Sequence, residues 1–291
     1  MASILKRGFI GSMFALMRRP FWPEHFAMIK SIIYNFFYLQ YRARLFPKKA
    51  KISWVDHPLD DKIPFTPSWI NIYMDFSPFW IRTQAFLAKT FGKAADPYIN
   101  SFVRGIGELY SFAGLIYKRN LSTTRRPLYL GKPGFVSIHL FDPHLMCIPS
   151  LHVMVVIMTY RKIKYVLACL GVEKEYAGQI EDVRRHALDI TESILFVKQH
   201  SINCIAAALY AMTCYDEQLF PVSEAMDFTN ALFIKCESIP AETRAAIKKH
   251  IFDLYLSFLD ARSGGGGWER PLLDFLSAAG TKSQVQADSC T

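Results

Sequence analysis

Three short segments of the chain carry residues that could bind and transfer a charged group. Residues 118–127 (KRNLSTTRRP) are rich in cations, while residues 148–153 (IPSLHV) and 193–204 (SILFVKQHSINC) each contain a histidine. From residue 118 to residue 141 there are five Lys or Arg and no acid, so a ligand near this stretch meets an uncompensated positive field. Cations together with two imidazoles favour an anionic ligand and acid–base or nucleophilic chemistry.

The elements expected around the two histidines would turn both towards one cleft. Pro149 and Ser150 indicate the start of a helix, which would leave free backbone N–H groups pointing at an anion. His152 then lies in the first turn of that helix. Lys198 and His200 are two residues apart, and the small and apolar run 205–212 predicts a buried helix that continues from the histidine.

These segments, in this order, resemble the signatures of the type 2 phosphatidic acid phosphatase superfamily, which also contains vanadium haloperoxidases and sphingolipid headgroup transferases. The signatures are Lys-x6-Arg-Pro, then Pro-Ser-Gly-His, then Ser-Arg-x5-His-x3-Asp. Arg119 precedes Arg126 and its proline by the required interval, while Lys118 is one residue out of register. Residues 149–152 match the second signature with Leu151 in place of Gly, the form known from the lipid-acting branch.

The third signature is matched by Ser193 and His200 at the family interval, and it departs at two positions. Ile194 replaces Arg, and Lys198 offers a cation two residues before the histidine, as in another familiar form of the signature. Cys204 replaces the Asp that orients the nucleophilic histidine in relatives. The resemblance covers about 87 of the 291 residues.

The resemblance implies an all-α helical bundle of the phosphatidic acid phosphatase type and a reaction through a phosphohistidine. His200 would attack phosphorus, and His152 would protonate the leaving oxygen and later activate water or an acceptor alcohol. The substrate would be a phosphate ester of a membrane lipid or a lipid-like phosphate, and no metal or other cofactor would be needed. The phosphate oxygens would be held by Lys118, Arg119, Arg126, Ser150 and Lys198.

The substitution at Cys204 leaves two functional hypotheses open. A thiol is a weak hydrogen-bond partner with little charge near neutral pH, so His200 loses its orienting anion unless another acid, such as Asp189 or Glu192, replaces it. One hypothesis is a lipid phosphatase or headgroup transferase. The other is a catalytically lapsed relative that binds lipid phosphates or scaffolds a membrane complex, and vanadate-dependent peroxidase activity is a distant third.

Simpler interpretations of the same residues also exist. His200 would then be a buried structural histidine, Arg126 part of a solvated loop, and Cys204 a small apolar residue or, less simply, a nucleophilic thiol. Three further histidines have no spacing that indicates a ligand role: His139, His144 and His186.

Composition places most of the positive charge at the N-terminus. The chain has 291 residues, 51% of them hydrophobic, and a net charge of +9. Residues 1–60 hold ten Lys or Arg against three acids, and Phe and Ile are mixed with these cations. A basic, aromatic N-terminus favours a membrane surface with anionic lipids as the partner over a nucleic acid.

No stretch of the sequence combines the length and the apolar character of a clean membrane span. Every apolar run of about 20 residues is interrupted by charges, and residues 172–197 form a strongly charged helical pattern. We therefore expect a membrane-associated protein that is peripheral or partly embedded, although the resemblance to the phosphatase superfamily favours an integral one. The six cysteines include no C-x-x-C pair, so they are expected to be buried free thiols.

Three regions are expected along the chain. Residues 1–60 form a basic aromatic amphipathic region, with one helix over 24–46, and residues 61–262 form the helical domain that carries the site. Residues 52–66, across the boundary between these two regions, are interpreted as a loop, and residues 136–140 of the helical domain as a short extended piece. Residues 263–291 begin with a Gly-rich break over 263–267 and continue as a short helix over 268–279 and a disordered tail over 280–291.

Overall fold

The computed structural model describes residues 4–288, with side chains to residue 279, and it is mostly helical, with 73% helix and 3% strand. The all-α class is therefore confirmed. In chain order the helices and strands are α1 Phe9–Leu16, α2 Trp22–Ile32, a π-helical turn Ile33–Tyr38, α3 Leu39–Leu45, β1 Ile52–Trp54, α4 Ile70–Met74, α5 Phe76–Phe91, α6 Asp96–Tyr117, β2 Leu121–Thr123, α7 Pro133–Phe141, α8 Leu151–Cys169, α9 Ala177–Phe196, α10 Ile202–Tyr215, α11 Val222–Ala231, α12 Ala241–Ser263 and α13 Glu269–Asp288.

Two helices form the centre of the fold because they are apolar on nearly every face. In α8 the residues from Val153 to Tyr160 are all buried, and in α10 the residues from Ile202 to Thr213 are all buried. Helices α5, α6, α9 and α10 pack around α8, while α12 covers α10. The two predicted histidine segments thus begin the two most deeply buried helices.

A two-stranded parallel sheet ties the cationic loop to the N-terminal region. Strand β1 pairs with β2 so that Ile52 faces Leu121, and Ser122 also bridges to Met146. The interpretation of residues 52–66 as a loop is wrong for the three residues of β1. The extended piece expected at 136–140 is also wrong, because these residues lie inside α7, which Pro133 begins at its first position.

The N-terminal helices pack closely on α6 because α6 presents small residues to them. A Cβ on Gly107 would come within 3.0 Å of the backbone of Met28, and one on Gly114 within 2.8 Å of the Asn35 side chain. Ser31 donates its hydroxyl to the carbonyl of Gly107 at 2.6 Å. The helix predicted over 24–46 is present as α2, the π-helical turn and α3.

The C-terminal region extends further as helix than the sequence indicated. Helix α13 continues through Asp288, so the disordered tail predicted from residue 280 is wrong for residues 280–288, and its last three residues lie outside the described chain. Across the residues that the structure describes, no helix combines the length and the apolar character needed to cross a membrane.

Two stacked histidines join α12 to the loop before α4. The rings of His57 and His250 have centroids 3.9 Å apart, and His250 Nε2 donates to Asn203 Oδ1 at 2.7 Å. Burial and the neighbouring His57 lower the pKa of His250 from 6.5 to about 4. Protonation would place two like charges in contact and would oppose the stacking.

We predict that this pair makes the fold sensitive to acid. The unfolded chain protonates His250 first as the pH falls below 6.5, so stability is lost between about 6.5 and 4. The loss is about 1–2 kcal/mol, since the ring is only partly buried. Denaturant unfolding of wild type and His250→Gln across this range should show their difference in stability shrinking as the pH falls. Parallel curves would contradict this prediction.

Candidate functional site

The structure brings the two predicted histidines together in the core. His152 lies in the first turn of α8, and His200 lies between α9 and α10. Their ring centroids are 5.5 Å apart, with 66° between the ring planes. His200 is only 8% exposed, and its Nδ1 has no hydrogen-bond partner among the described residues. The pair is therefore close enough for both rings to contact one small group.

A tight reversal of the chain presents His200 to α8. Lys198 adopts a left-handed conformation with φ of 54°, and the amides of Gln199 and His200 both donate to the carbonyl of Ile194, at 2.9 and 3.2 Å. Ser201 then caps α10 by accepting the amide N–H of Asn203 at 3.2 Å. This turn fixes the position of the His200 ring.

His152 is held between aromatic rings, which determines its charge. Tyr73 stacks on it with centroids 4.7 Å apart, and Phe76 lies at 4.5 Å. Burial and the nearby His200 lower the pKa of His152 to about 3. Before a ligand binds, His152 is therefore a neutral ring near neutral pH, and it becomes an acid only if a nearby anion raises its pKa.

Ser150 begins α8 without capping it. Its hydroxyl is fully buried, yet within residues 4–279 its Oγ finds no hydrogen-bond partner. The first backbone N–H groups of a helix also have no intrahelical partner, so this end of α8 offers several donors in one place. Donors of this kind suit an anion.

Arg126 is the predicted cation that contacts the segment carrying His200. Its guanidinium donates to Gln199 Oε1 at 3.3 Å and to the carbonyl of Asp142 at 3.3 Å, and the Asp142 carboxylate lies 3.9 Å away. Gln199 directly precedes His200. Arg126 also lines a pocket of about 310 Å³ together with Arg44 and His139. It therefore links the pocket to the histidine pair.

The other three predicted cations have partners elsewhere, which corrects the expectation that they join Arg126 around a phosphate. Arg119 is 59% exposed and lies 3.7 Å from the carboxylate of Glu269. Lys118 lies over the ring of Tyr34, with its Nζ 5.2 Å from the centroid. Lys198 donates to the carbonyls of Asp60 and Ile63 and thereby anchors the loop before α4.

Neither acid considered as a substitute for the orienting Asp contacts His200. Asp189 faces His186, with Oδ2 3.9 Å from Nδ1, and Glu192 accepts the amide N–H of Phe233 at 2.6 Å. Burial raises the pKa of Glu192 to about 7. Cys204 is fully buried, and its Sγ accepts the amide N–H of Ser201 at 3.4 Å.

Sequence reasoning missed two residues that border the histidine pair. The spacing of His144 in the sequence indicates no ligand role, yet its ring centroid lies 6.3 Å from that of His200. Its Nε2 is 2.9 Å from Thr124 Oγ1 and 3.9 Å from Cys147 Sγ. Cys147 Sγ is also 4.0 Å from the carbonyl of Gln199. The position of Cys147 two residues before Pro149 was the one signal in the sequence.

Among the side chains that the structure describes, no group of three or more His, Cys, Asp or Glu is arranged to hold a metal.

Comparison of the chain with family models, with curated proteins and with solved structures gives no match. The site must therefore be interpreted from its own geometry.

We predict that substitution of Arg126 mainly affects phosphate binding and that substitution of Lys198 mainly affects stability. Arg126→Gln should weaken binding of inorganic phosphate about tenfold or more, because charge-assisted hydrogen bonds are lost, with little effect on stability. Lys198→Met should lower the free energy of unfolding by about 1–3 kcal/mol, because two carbonyls lose their donor, and it should weaken phosphate binding less than Arg126→Gln does, because Lys198 acts on the site only through the turn that holds His200. Calorimetric titration and denaturant unfolding of both variants measure these effects, and the reverse ranking would contradict the assignment.

Proposed function

We propose that the protein binds the phosphate group of a membrane lipid or lipid-like phosphate ester between His152 and His200, and that it hydrolyses or transfers this group through a phosphohistidine. One observation carries the proposal. Two buried polar atoms have no partner within the described residues: Ser150 Oγ, at the N-terminal end of α8 two residues before His152, and Nδ1 of His200, whose ring lies 5.5 Å from that of His152. A bound phosphate would satisfy both atoms.

The proposed chemistry assigns one task to each ring. A ring nitrogen of His200 attacks phosphorus and forms the covalent intermediate, which divides a difficult displacement into two steps. The phosphate dianion beside His152 raises the proton affinity of that ring, so the substrate itself prepares the acid that protonates the leaving oxygen. After the alcohol departs, the neutral ring accepts a proton from water or from an acceptor alcohol.

Stabilisation of the transferring phosphate rests on fewer cations than the resemblance implied. Arg126, the hydroxyl of Ser150 and the first N–H groups of α8 are the donors near the pair. A helix N-terminus carries a partial positive charge, which favours an anion there. Because the site is buried, each of these interactions is stronger than it would be in water.

The N-terminal region supports a membrane as the source of the substrate. On α2 and the π-helical turn, the exposed Phe26, Ile29 and Ile33 recur at helical spacing, and the exposed Lys30 lies on the same face. Further exposed apolar side chains on α1 and α3 include Ile10, Phe14 and Leu45. An apolar face with interspersed cations complements an anionic lipid surface.

The pocket beside Arg126 opens next to this apolar region. Arg44 of α3 and His139 of α7 line the pocket, and the neighbouring Leu45 and Leu140 are 72% and 61% exposed. A lipid held by its tails at the membrane surface would thus present its phosphate to Arg44 and Arg126. These contacts support entry of the substrate from the membrane side.

A second candidate function is phosphate-lipid binding without catalysis. Two observations favour it: no carboxylate among the described residues contacts His200, and Lys118, Arg119 and Lys198 have partners outside the pair. In a serine protease, replacement of the triad Asp by Asn lowers kcat about 10⁴-fold, because the histidine then holds its proton on the wrong nitrogen. Such a protein would bind lipid phosphates or scaffold a complex at the membrane.

An assay with short-chain phosphatidic acid distinguishes the two functions. The enzyme hypothesis predicts that the wild type releases phosphate and that labelled phosphate can be trapped on a histidine. It also predicts that His200→Ala loses at least about 100-fold of the phosphate-release rate. An active wild type matched by His200→Ala would refute the phosphohistidine. If the wild type is inert and Cys204→Asp gains activity, the binding function is correct instead.

Membrane attachment can be tested separately by sedimentation with vesicles. Phe14→Ser combined with Phe26→Ser should weaken binding to vesicles that contain phosphatidylserine about tenfold or more, because two large apolar side chains no longer enter the lipid. Raised salt should weaken it further. The matched control is Leu256→Ser, an exposed apolar residue on α12, which should bind as the wild type does. Equal binding by the double variant would exclude the N-terminal face.

A further inference from the structure

We propose that Cys147 is the positioning residue of His200 and supplies, from a different segment, the anion that the third signature lacks. The inference rests on the proposed function, because it assigns a partner to the proposed nucleophile. Cys147 lies outside the three signatures and outside α10. The geometry of the cluster around Cys147 is what carries it.

Cys147 lies at the centre of a buried polar cluster. Its side chain is fully buried, its Sγ lies 3.9 Å from His144 Nε2, and it interacts with His200 and with the thiol of Cys204. The same sulfur lies 4.0 Å from the carbonyl of Gln199, the residue directly before His200, so Cys147 borders both His144 and the turn that carries the proposed nucleophile. The unpartnered Nδ1 of His200 belongs to the same cluster.

His144 is held in place as the counter-charge of this thiol. Its backbone is left-handed, with φ of 60°, and its amide donates to Asp142 Oδ1 at 2.9 Å. Thr124 Oγ1 lies 2.9 Å from its Nε2. A strained backbone fixed by two side chains indicates that the ring position is specified, and strain of this kind is common at functional sites.

The charges of the cluster agree with a thiolate paired with an imidazolium. Burial opposes ionisation of Cys147, but contacts with Cys204, His144 and His200 outweigh burial and bring its pKa well below the usual value. Burial alone would lower the pKa of His144, yet the charge and hydrogen bond of Cys147 raise it. Imidazolium neighbours lower thiol pKa values in this way.

The replacement of Asp by Cys204 in the third signature then has a physical role. Burial and the neighbouring Cys147 raise the pKa of Cys204 well above its usual value, so Cys204 keeps its proton and can donate it to the Cys147 sulfur. An Asp at this position would place a carboxylate against the thiolate. An Asp at position 204 and a thiolate at Cys147 are therefore alternatives, and each supplies one anion beside His200.

In the first half-reaction, a nitrogen lone pair of His200 forms the N–P bond. The P–O bond to the leaving alcohol breaks, its electron pair stays on oxygen, and this oxygen takes the proton from His152. The His200 ring keeps the proton on its other nitrogen and becomes positively charged, and the Cys147 thiolate balances that charge. In the second half-reaction, an oxygen of water bonds to phosphorus, its proton passes to His152, and the N–P electron pair returns to the ring.

The pairing of Cys147 with His200 can be tested without any activity. Thiolates absorb in the ultraviolet, so the ionisation of Cys147 can be followed by titrating wild type and Cys147→Ser with pH and subtracting the two absorbance curves. The difference should show an ionised thiol at neutral pH. His200→Gln and His144→Gln, each compared with its own Cys147→Ser version, should move this titration to higher pH. Cys214→Ser is the matched control, because burial raises the pKa of that thiol and its loss should leave the neutral-pH signal unchanged.

Two results of the titration would overturn the proposal. One is the absence of a neutral-pH difference between wild type and Cys147→Ser. The other is a titration that does not move in His200→Gln, since Cys147 would then not face the nucleophile.

Turnover of short-chain phosphatidic acid provides the second test. Cys147→Ser should lower kcat about 100-fold with little change in KM, and Cys147→Asp should recover part of the loss. Unchanged kcat in Cys147→Ser would overturn the positioning role. An inert wild type would refute the proposed function alone, because the titration would still decide whether Cys147 pairs with His200.

Discussion

The chain reversal between α9 and α10 is the constraint on which the site depends. A left-handed conformation costs a non-glycine residue about 1 kcal/mol or more, yet Lys198 adopts one. The cost is offset because its ammonium donates to the carbonyls of Asp60 and Ile63, and Asp60 in turn accepts the amide of Ile202 at the start of α10. The loop before α4, the turn and α10 therefore hold one another, and His200 faces α8 as a result.

Within the core, satisfied and unsatisfied polar atoms lie side by side. Thr124, Arg126 and His144 all have partners, whereas Ser150 Oγ and His200 Nδ1 have none among the residues described. A buried polar atom without a partner costs about 1–3 kcal/mol, so a fold that retains one at the start of α8 and one in the histidine pair requires an explanation. A ligand that satisfies both atoms provides one.

The sequence predicted the parts of the fold that depend on local pattern. The helix starts at Pro149 and near His200 were sufficient to locate α8 and α10, and the order of the three segments was sufficient to predict that His152 and His200 meet. The partners of Lys118, Arg119 and Lys198 were not predictable, because each is decided by a residue distant in sequence. Strands β1 and β2 have three residues each, and only tertiary pairing makes them strands. His144 and Cys147 were missed because their contacts come from the packing of a loop, which carries no periodicity.

The electrostatics of α10 give a physical reason for the cysteine at position 204. The first turn of this helix already holds one anion, the Asp60 carboxylate, which accepts the amide of Ile202 at 2.9 Å and acts on Cys204 by its charge. An Asp at position 204 would add a second carboxylate to the same turn, and two like charges in a buried site cannot both remain ionised without a large cost. A protonated thiol avoids this repulsion. Cys147, in the segment before α8, has its Sγ 3.9 Å from the imidazole Nε2 of His144, so an anion on this sulfur has a counter-charge beside it.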